Sequence, residues 1–324
     1  MQRRRFIKLL GGTAVMPFAA RAQQALPTLG FINGTSAQKY APYVAAFIAG
    51  LKESGFVDGE NVAIEYRWAD GDYGRLPSLA ADLVARKVAV IVANTPANLA
   101  AKKATDTIPI VFTTASDPVQ IGLVANMNRP GGNVTGISQL NASLGPKRLE
   151  LAHELMPAAT EMGLLVNPND PARAEKISTE VEAAAGHLGL KLHVLRAGTE
   201  KDIESALALF AQFEPSVLVV GADAFFNANS RLLAEAALRY KAPAIYEYTE
   251  FTDAGGLMSY GGNIRESYRW AGIYAGRILK GANPAELPVQ QSTTVELIVN
   301  LKTAKALGIT VPLSLLGRAD KIIE

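Results

Sequence analysis

Short apolar runs rich in Val and Ile alternate along this chain with longer stretches whose apolar residues recur at helical spacing. Val44, Phe47 and Leu51 mark one such helical face, which stops at Gly55, a residue type that commonly ends helices. Strands that alternate with helices are typical of right-handed βαβ units around a parallel sheet. The pattern predicts strands buried on both faces at 28–32, 62–68, 88–93, 108–113 and 134–138, and further strands at 162–166, 190–195, 217–220, 244–246, 257–260 and 296–300. It predicts intervening helices that include 172–188, 201–213, 228–240 and 264–279.

The same architectural scheme occurs twice along the chain. Residues 83–110 and 210–244 each hold an apolar strand, a polar loop, a helix and a second apolar run that contains Pro109 or Pro243. This repeat predicts an α/β fold of two Rossmann-like lobes with parallel sheets and an interlobe cleft. The later elements occur singly and are expected to complete sheets already begun, so the chain should cross between the lobes more than once. We assign 27–140 and 251–282 to the N-terminal lobe, and 141–250 and 283–324 to the C-terminal lobe.

The first 22 residues have the composition of an export signal. They carry five cationic side chains and no acidic ones, then an apolar run, and end in Ala20-Arg21-Ala22, a small-x-small cleavage site. We expect cleavage after Ala22 and a periplasmic mature protein. Arg3-Arg4-Arg5-Phe6-Ile7-Lys8 resembles the twin-arginine export signal, with Ile7 where Leu is usual. The alternative is a general secretory signal, whose first region is also basic.

Composition excludes several classes of site. The chain has no cysteine, which excludes disulfides, thiolate metal sites and a cysteine nucleophile. Without the predicted signal it has 27 Lys and Arg against 30 Asp and Glu, a net charge of −3, so nothing predicts a nucleic-acid or anionic-lipid partner. His153-Glu154 begins a zinc-binding pattern, but Pro157 stands where its second His would be. We expect no metal, no cofactor and no His-based catalysis.

Several short motifs of the chain resemble one family. They are Thr95-Pro96-Ala97, Ile108-Pro109-Ile110-Val111-Phe112, Ser116-Asp117-Pro118-Val119, Gly122-Leu123-Val124, Arg129-Pro130-Gly131-Gly132-Asn133-Val134-Thr135-Gly136, Leu279-Lys280-Gly281 and Ala304-Lys305-Ala306-Leu307-Gly308-Ile309. In these motifs the chain is similar to the ABC-transporter substrate-binding family that includes tryptophan- and tyrosine-binding proteins. The resemblance covers essentially the whole mature chain. It implies a type I periplasmic binding protein fold, with two lobes, three crossovers and a ligand held between the lobes.

The loops that follow the predicted strands are unusually polar. Because ligands of open parallel sheets bind beyond the carboxyl ends of the strands, these loops are the candidate ligand site. The candidate ligand-binding residues are Asn33, Thr35, Ser36, Asn94, Thr95, Ala97, Thr114, Asp117, Asn167, Asp170, Asp223, Phe225, Tyr246 and Glu247.

Three of these loops place a capping residue directly before a proline, at Thr95-Pro96, Asp117-Pro118 and Asp170-Pro171. Thr and Asp are favoured N-caps and Pro is favoured at the first helical position, so each pair predicts a helix start. The free N–H groups and partial positive charge at such an end suit a ligand carboxylate, and Thr95 is the favoured anchor. The alternative is that these residues only cap their helices.

Aromatic and acidic residues also occur near these loops. The aromatic residues are Tyr40, Trp68, Phe225, Phe226, Tyr246, Tyr248 and Tyr260. Ligand pockets combine aromatic walls with a few polar anchors, although Trp68 and Tyr246 would equally suit the core or a hinge. Asp223 and Glu247 are candidates to accept hydrogen bonds from a ligand ammonium, the alternative being that they face solvent.

These observations favour a non-enzymatic, monomeric solute-binding component of an ABC import system. It would capture an amino acid or another small aromatic or carboxylate-bearing solute between its lobes and deliver it to a permease in the inner membrane. One alternative is a module that presents its ligand to a membrane receptor. Another is a secreted hydrolase or isomerase with Asp117 or Asp223 as base, which lacks a nucleophile–base pair. A repressor is disfavoured because the export signal stands where DNA-binding helices would be.

The export signal yields a first prediction. Replacing Arg3 and Arg4 together with Lys keeps the charge of the segment but removes the paired guanidinium groups, so export of the mature chain beginning at Gln23 should be blocked. Fractionation of cells that express the parent or the variant measures the exported fraction. Unimpaired export of the double variant would indicate the general secretory route.

Overall fold

A computed structural model describes residues 26–139, 141–213, 216–292 and 294–324. The predicted export signal lies outside the described residues. Within them, no helix is both long enough and apolar enough to span a membrane.

The first sheet has six strands, all parallel, in the order β11-β5-β4-β3-β1-β2. Its strands are β1 (Thr28–Asn33), β2 (Ala63–Trp68), β3 (Val90–Asn94), β4 (Ile110–Thr114), β5 (Val134–Ser138) and β11 (Gln290–Gln291). The strands β1, β3, β4 and β5 are buried on both faces, as predicted. The prediction that the strand at 62–68 is buried on both faces is wrong: β2 forms the edge of the sheet, pairs only with β1 and is half-buried along its length.

The second sheet has seven strands in the order β13-β12-β10-β9-β8-β6-β7. They are β6 (Glu161–Val166), β7 (Lys191–Arg196), β8 (Ser216–Val220), β9 (Ala244–Tyr246), β10 (Met258–Gly261), β12 (Glu296–Asn300) and β13 (Lys321–Ile323). All pairs are parallel except β10 with β12. Both sheets share the arrangement in which the first strand lies between the second and the third, so the repeat seen in the sequence is a repeat of topology.

Helices cover both faces of each sheet. They are α1 (Ala37–Glu53), α2 (Leu76–Ala85), α3 (Ala97–Ala104), α4 (Gly145–Leu155), α5 (Pro171–His187), α6 (Glu200–Phe210), α7 (Ala224–Ala228), α8 (Ser230–Arg239), α9 (Thr249–Asp253), α10 (Ile264–Leu279), α11 (Leu301–Ala306) and α12 (Leu313–Leu316). The first sheet has α1 and α10 on one face and α2 and α3 on the other. One cluster of buried apolar side chains continues from the first lobe into the second.

The strand pairing corrects the predicted lobe boundaries. The strand β10, which we assigned to the N-terminal lobe, pairs with β9 and β12 in the second sheet, whereas α10, which follows it, packs on α1 of the first lobe. The short strand β11, assigned to the C-terminal lobe, pairs with β5 in the first sheet. The chain therefore crosses between the lobes near residues 140, 262 and 293. Periodicity locates the elements, but their lobes are set by long-range hydrogen bonds that no local pattern contains.

The contact between α1 and α10 depends on two glycines. A Cβ atom on Gly50 would lie 1.8 Å from the Arg269 carbonyl oxygen, and one on Gly272 would lie 2.1 Å from the Phe47 carbonyl oxygen. The two helix backbones therefore approach more closely than any side chain allows. This contact fixes α10, the returning helix, onto the first lobe.

We expect Gly50→Ala to destabilise the protein by about 1–3 kcal/mol, because the added methyl group must push the two helices apart. Urea unfolding measures this change. Gly186→Ala in α5 is the matched control: a Cβ there meets nothing within 4 Å, so alanine should be neutral or stabilise by up to about 1 kcal/mol. Equal stabilities of the two variants would contradict the close contact.

Candidate functional site

A cavity lies between the two lobes, at the carboxyl ends of the strands. It has a volume of about 360 Å³, counting the part open to solvent. The first lobe contributes loops after β3 and β4 and two helices, α1 and α10, while the second contributes loops after β8 and β9. The lining residues are Tyr40, Asn94, Thr95, Thr113, Thr114, Ala115, Gln139, Arg173, Asp223, Ala224, Asn227, Glu247, Tyr248, Ile264 and Tyr268.

Glu247, which directly follows β9, carries the most unusual side chain in this cavity. It is 2% exposed, and neither carboxylate oxygen makes a hydrogen bond of ordinary geometry among the described residues, although the side chain of Asn227 favours its ionised form. Burial raises the pKa of Glu247 to about 7, against the opposing effect of the Arg148 guanidinium. A buried carboxylate without a partner is costly, so this group is suited to a ligand that donates hydrogen bonds.

Asp223 is held rigidly near Glu247. Its Oδ1 atom accepts from the Phe225 N–H at 2.8 Å, from Asn167 Nδ2 at 2.9 Å and from the Tyr73 hydroxyl at 3.2 Å. The last bond crosses the cleft, because Tyr73 belongs to the first lobe. Burial raises the pKa of Asp223, and the charge of Arg173 opposes that rise.

More polar atoms in the cavity wall have no partner. Asn94 Oδ1 from the first lobe and Asn227 Oδ1 from the second are buried without a hydrogen bond among the described residues. Arg173 Nε also makes none, although it lies 3.3 Å from a carboxylate oxygen of Asp170. Together with Glu247, these atoms give the cavity four acceptors that make no hydrogen bond among the described residues, and one guanidinium N–H whose interaction with Asp170 is an ion pair only.

Tyrosine rings form the other wall. The Tyr268 hydroxyl donates to the Tyr40 hydroxyl at 3.0 Å, and their rings meet edge to face with centroids 5.5 Å apart. The Tyr248 hydroxyl donates to Gln139 Oε1, and Gln139 Nε2 donates to Ser267 Oγ. Gln139 lies on the first crossover, so this chain of bonds joins both lobes and the hinge. Burial raises the pKa of Tyr40 to about 12 and raises the pKa values of Tyr248 and Tyr268 well above their ordinary value, so all three hydroxyls are protonated at neutral pH.

Five of the fourteen predicted site residues line this cavity: Asn94, Thr95, Thr114, Asp223 and Glu247. Asn33 and Asn167 lie behind it and accept hydrogen bonds from the backbone N–H groups of Thr35 and Asn169. Ala97 is buried inside α3, and Tyr246 is buried with its ring stacked on Phe251, at a centroid distance of 4.6 Å.

A second, wider groove lies between the lobes, with a volume of about 890 Å³ including open solvent. It is lined by three other predicted residues, Thr35, Ser36 and Phe225. Beside them Lys39 reaches across from α1 to the second lobe, where its Nζ atom donates to Glu200 and, at 2.7 Å, to Asn229 Oδ1. The two lobes are thus bonded to each other outside the cavity as well as within it.

The three predicted helix starts have different outcomes. Asp170 caps α5, accepting from the Arg173 N–H at 3.3 Å, with Pro171 at the first position, as predicted. Asp117 accepts from the N–H groups of Val119 and Gln120 but begins only a turn, so the predicted helix there is wrong.

Thr95 also differs from its prediction, because α3 begins at Ala97, Pro96 takes the N-cap position and Thr95 caps nothing. Its hydroxyl instead donates to Thr114 Oγ1 at 2.9 Å and accepts from Asn98 Nδ2 at 2.9 Å. The capping preferences of Thr and Pro are outweighed by this buried side-chain network.

Several lining residues were not among the predicted ones. Gln139 lies on the first crossover, Ile264 and Tyr268 lie on α10, and Arg173 lies in the first turn of α5. The Asp170-Pro171 helix start was the one local signal near Arg173. No local sequence pattern indicates that Gln139 or Tyr268 belongs to the site. Gln139 reaches the cavity from the first crossover, and Tyr268 reaches it because the chain returns to the first lobe in α10.

Two parallel-sheet lobes joined by three crossovers, with a polar cavity at their facing strand ends, define a two-lobed solute-binding protein of the type I periplasmic binding fold. Residues 30–323 match the family described as ABC transporter substrate binding protein. The chain belongs to this family, whose members capture a solute for an ABC transporter.

The chain is similar to two proteins whose ligands are stated and to one that was solved without a ligand. A tyrosine-binding protein of Clostridioides difficile is 30% identical over 81% of this chain and 75% of its own. A Streptococcus pneumonia structure in complex with L-Trp is 26% identical, with a TM-score of 0.78 over 92% of this chain and all of the other. A ligand-free, open substrate-binding protein from Clostridium difficile, also 26% identical, has a TM-score of 0.61 over 92% of this chain and 99% of its own. Over the same share of this chain, its structure is thus more similar to that of the complex than to the open structure.

We expect the ligand-free protein to lose stability as pH rises, because of Glu247. Its pKa of about 7 in the folded state exceeds the ordinary 4.5, so its contribution is fully present below pH 4.5 and is lost as pH rises through 7. The free energy of unfolding should therefore decrease by about 3 kcal/mol over this pH range. Glu247→Gln should remove this dependence and be more stable than the parent at pH 8. Urea unfolding at pH 5 and pH 8 measures both effects.

The exposed Glu175 on α5 offers a matched control, since Glu175→Gln removes the same charge from the surface. That variant should keep the pH dependence of the parent. A parent protein whose stability does not fall between pH 5 and pH 8 relative to Glu247→Gln would contradict the assignment.

Proposed function

We propose that this protein binds a zwitterionic α-amino acid with an aromatic side chain, in the cavity between its lobes. The single observation that carries this proposal is a set of four acceptors at and around Glu247 that make no hydrogen bond among the described residues, together with the Arg173 guanidinium, whose Nε atom is ion-paired with Asp170 but makes no hydrogen bond. A ligand that satisfies them needs a group with several donors and, apart from it, an acceptor. An α-ammonium and an α-carboxylate provide both.

The ammonium is assigned to the second lobe. Glu247 and Asp223 are both acidic and both buried, and each raises the cost of ionising the other. A ligand cation placed between them removes that cost and satisfies the two free oxygens of Glu247. Capture of the ligand is then coupled to ionisation of Glu247.

The carboxylate is assigned to Arg173 and Thr114 rather than to the predicted anchor. The Thr95 hydroxyl already uses its hydrogen in the bond to Thr114. Thr114 Oγ1 accepts from Thr95 and from the Ser116 N–H at 3.1 Å, and its own hydrogen has no acceptor among the described residues. That hydroxyl and Arg173 Nε are therefore free to donate to an anion.

The side chain of the ligand is assigned to the tyrosine wall. Tyr40, Tyr248 and Tyr268 line the cavity, and aromatic rings prefer stacked or edge-to-face contacts such as the one between Tyr40 and Tyr268. The names of the relatives support this choice, since one binds tyrosine and another was solved with L-Trp.

We further propose that the protein acts outside the cytoplasm as a monomer, delivers its ligand to an ABC permease and performs no catalysis. The basic segment at 1–22 supports export. Of the two bases considered for an enzyme, Asp117 bonds its own turn and does not line the cavity, and Asp223 is fixed by three hydrogen bonds without an adjacent nucleophile.

Calorimetry with tyrosine, tryptophan and phenylalanine tests the ligand class. We expect Glu247→Gln and Thr114→Val each to weaken binding by about tenfold to a hundredfold, because each loses a hydrogen bond to a charged group. Glu247→Gln should barely affect the des-amino analogue of the same ligand, since that analogue has no ammonium.

Thr95→Val is the control for the anchor, because it keeps the shape and leaves Thr114 able to donate. The Thr95→Val variant should bind the amino acid more tightly than Thr114→Val does. Tighter binding by Thr114→Val would instead indicate that Thr95 is the anchor for the carboxylate. No binding of any of the three amino acids to the parent protein would overturn the proposed ligand class.

A further inference from the structure

Arg148, in the first turn of α4, is a buried cation outside the cavity wall. Its side chain is 1% exposed, and its guanidinium donates to two backbone carbonyl oxygens, from Nε to Tyr260 at 2.9 Å and from Nη2 to Asn141 at 2.8 Å. Asn141 follows the first crossover and Tyr260 precedes the second. The crossovers are also bonded to each other, since the Gly262 N–H donates to Asn141 Oδ1 at 3.0 Å.

No carboxylate forms an ion pair with Arg148 among the described residues, although buried cations normally have one. The acidic group that acts on it most strongly is Glu247, and the effect is mutual. The fold places them together: Glu247 follows β9, and the backbone of β10 passes so close that a Cβ atom on Gly261 would lie 1.9 Å from the Glu247 carbonyl oxygen. A buried cation and a buried carboxylate, each without an ion-pair partner, are thus held on neighbouring segments.

We propose that Arg148 is a positioning residue for the ligand site: it fastens two crossovers to the second lobe and sets the ionisation of Glu247 from behind the cavity. This inference rests on the proposed function in one respect, that Glu247 meets the ligand ammonium. The two crossovers and the ionisation of Glu247 then both depend on Arg148. The segments that bend when the lobes close are therefore linked to the carboxylate that the ligand ammonium meets.

The other charged groups near Glu247 cannot replace Arg148. Arg173 on α5 also favours the ionised form of Glu247, but Arg173 is ion-paired with Asp170. The charge of Asp223 opposes ionisation of Glu247 and so offsets part of the effect of Arg173. The hydroxyls of Tyr40 on α1 and of Tyr248 beside Glu247 are protonated and carry no charge. Arg148 is the cation with the largest effect on Glu247, and a guanidinium stays charged throughout the neutral range.

Two substitutions separate the charge of Arg148 from its hydrogen bonds. Arg148→Gln removes the charge but keeps an amide that can donate to a carbonyl, and Arg148→Lys keeps the charge with a different donor. Urea unfolding of both variants without ligand gives the ratio of their unfolding constants at each pH. We expect this ratio, Gln over Lys, to rise about fivefold to tenfold from pH 5 to pH 8, because an adjacent cation lowers a carboxyl pKa by about one or more.

A purely structural role predicts a ratio that does not change with pH, and that result would overturn the proposal. Folding of Arg148→Gln at pH 5 but not at pH 8 supports the proposal, whereas failure to fold at both values counts against it. In a Glu247→Gln background the pH dependence of the ratio should vanish, and its persistence would show that Arg148 acts on another group. Because no ligand is present, these outcomes are independent of whether aromatic amino acids bind.

Discussion

The arrangement of the cavity depends on one electrostatic constraint, a carboxylate buried between two lobes without a hydrogen-bond partner. Glu247 is 2% exposed, and in such a low-dielectric position its ionised form needs a cation. The Arg148 guanidinium favours that ionised form while it donates to two backbone carbonyl oxygens, and Glu247 itself lines the cavity. Stability is thereby sacrificed at the place where we propose that the ligand binds.

The duplicated topology explains why the polar groups meet. In each lobe the first strand lies between the second and the third, and the loops that follow the first and third strands are adjacent. Asn94 and Asp223 follow the third strands of the two sheets, so they face each other across the cleft. Bonds from Tyr73 and Lys39 to the second lobe then hold the closed arrangement.

The candidate site was predictable where it depends on strand ends. The predicted Asn94, Thr114 and Glu247 line the cavity because each ends or follows a strand at the facing edge. The predicted Tyr246 does not line this cavity although its neighbour Glu247 does, because successive residues of an extended segment point to opposite sides and the Tyr246 ring stacks on Phe251.

The sequence alone determined the order and type of the elements, because the periods of two and 3.6 residues follow from burial of one face of each element. It also determined the edge of the sheets at which polar loops collect. Tertiary structure alone decided that β10 joins the second sheet while α10 returns to the first, and that return brings Tyr268 to Tyr40, 228 residues away. The positions of Gln139, Arg173 and Arg148 were decided in the same way, since contacts between distant segments are fixed by packing and long-range hydrogen bonds rather than by local pattern.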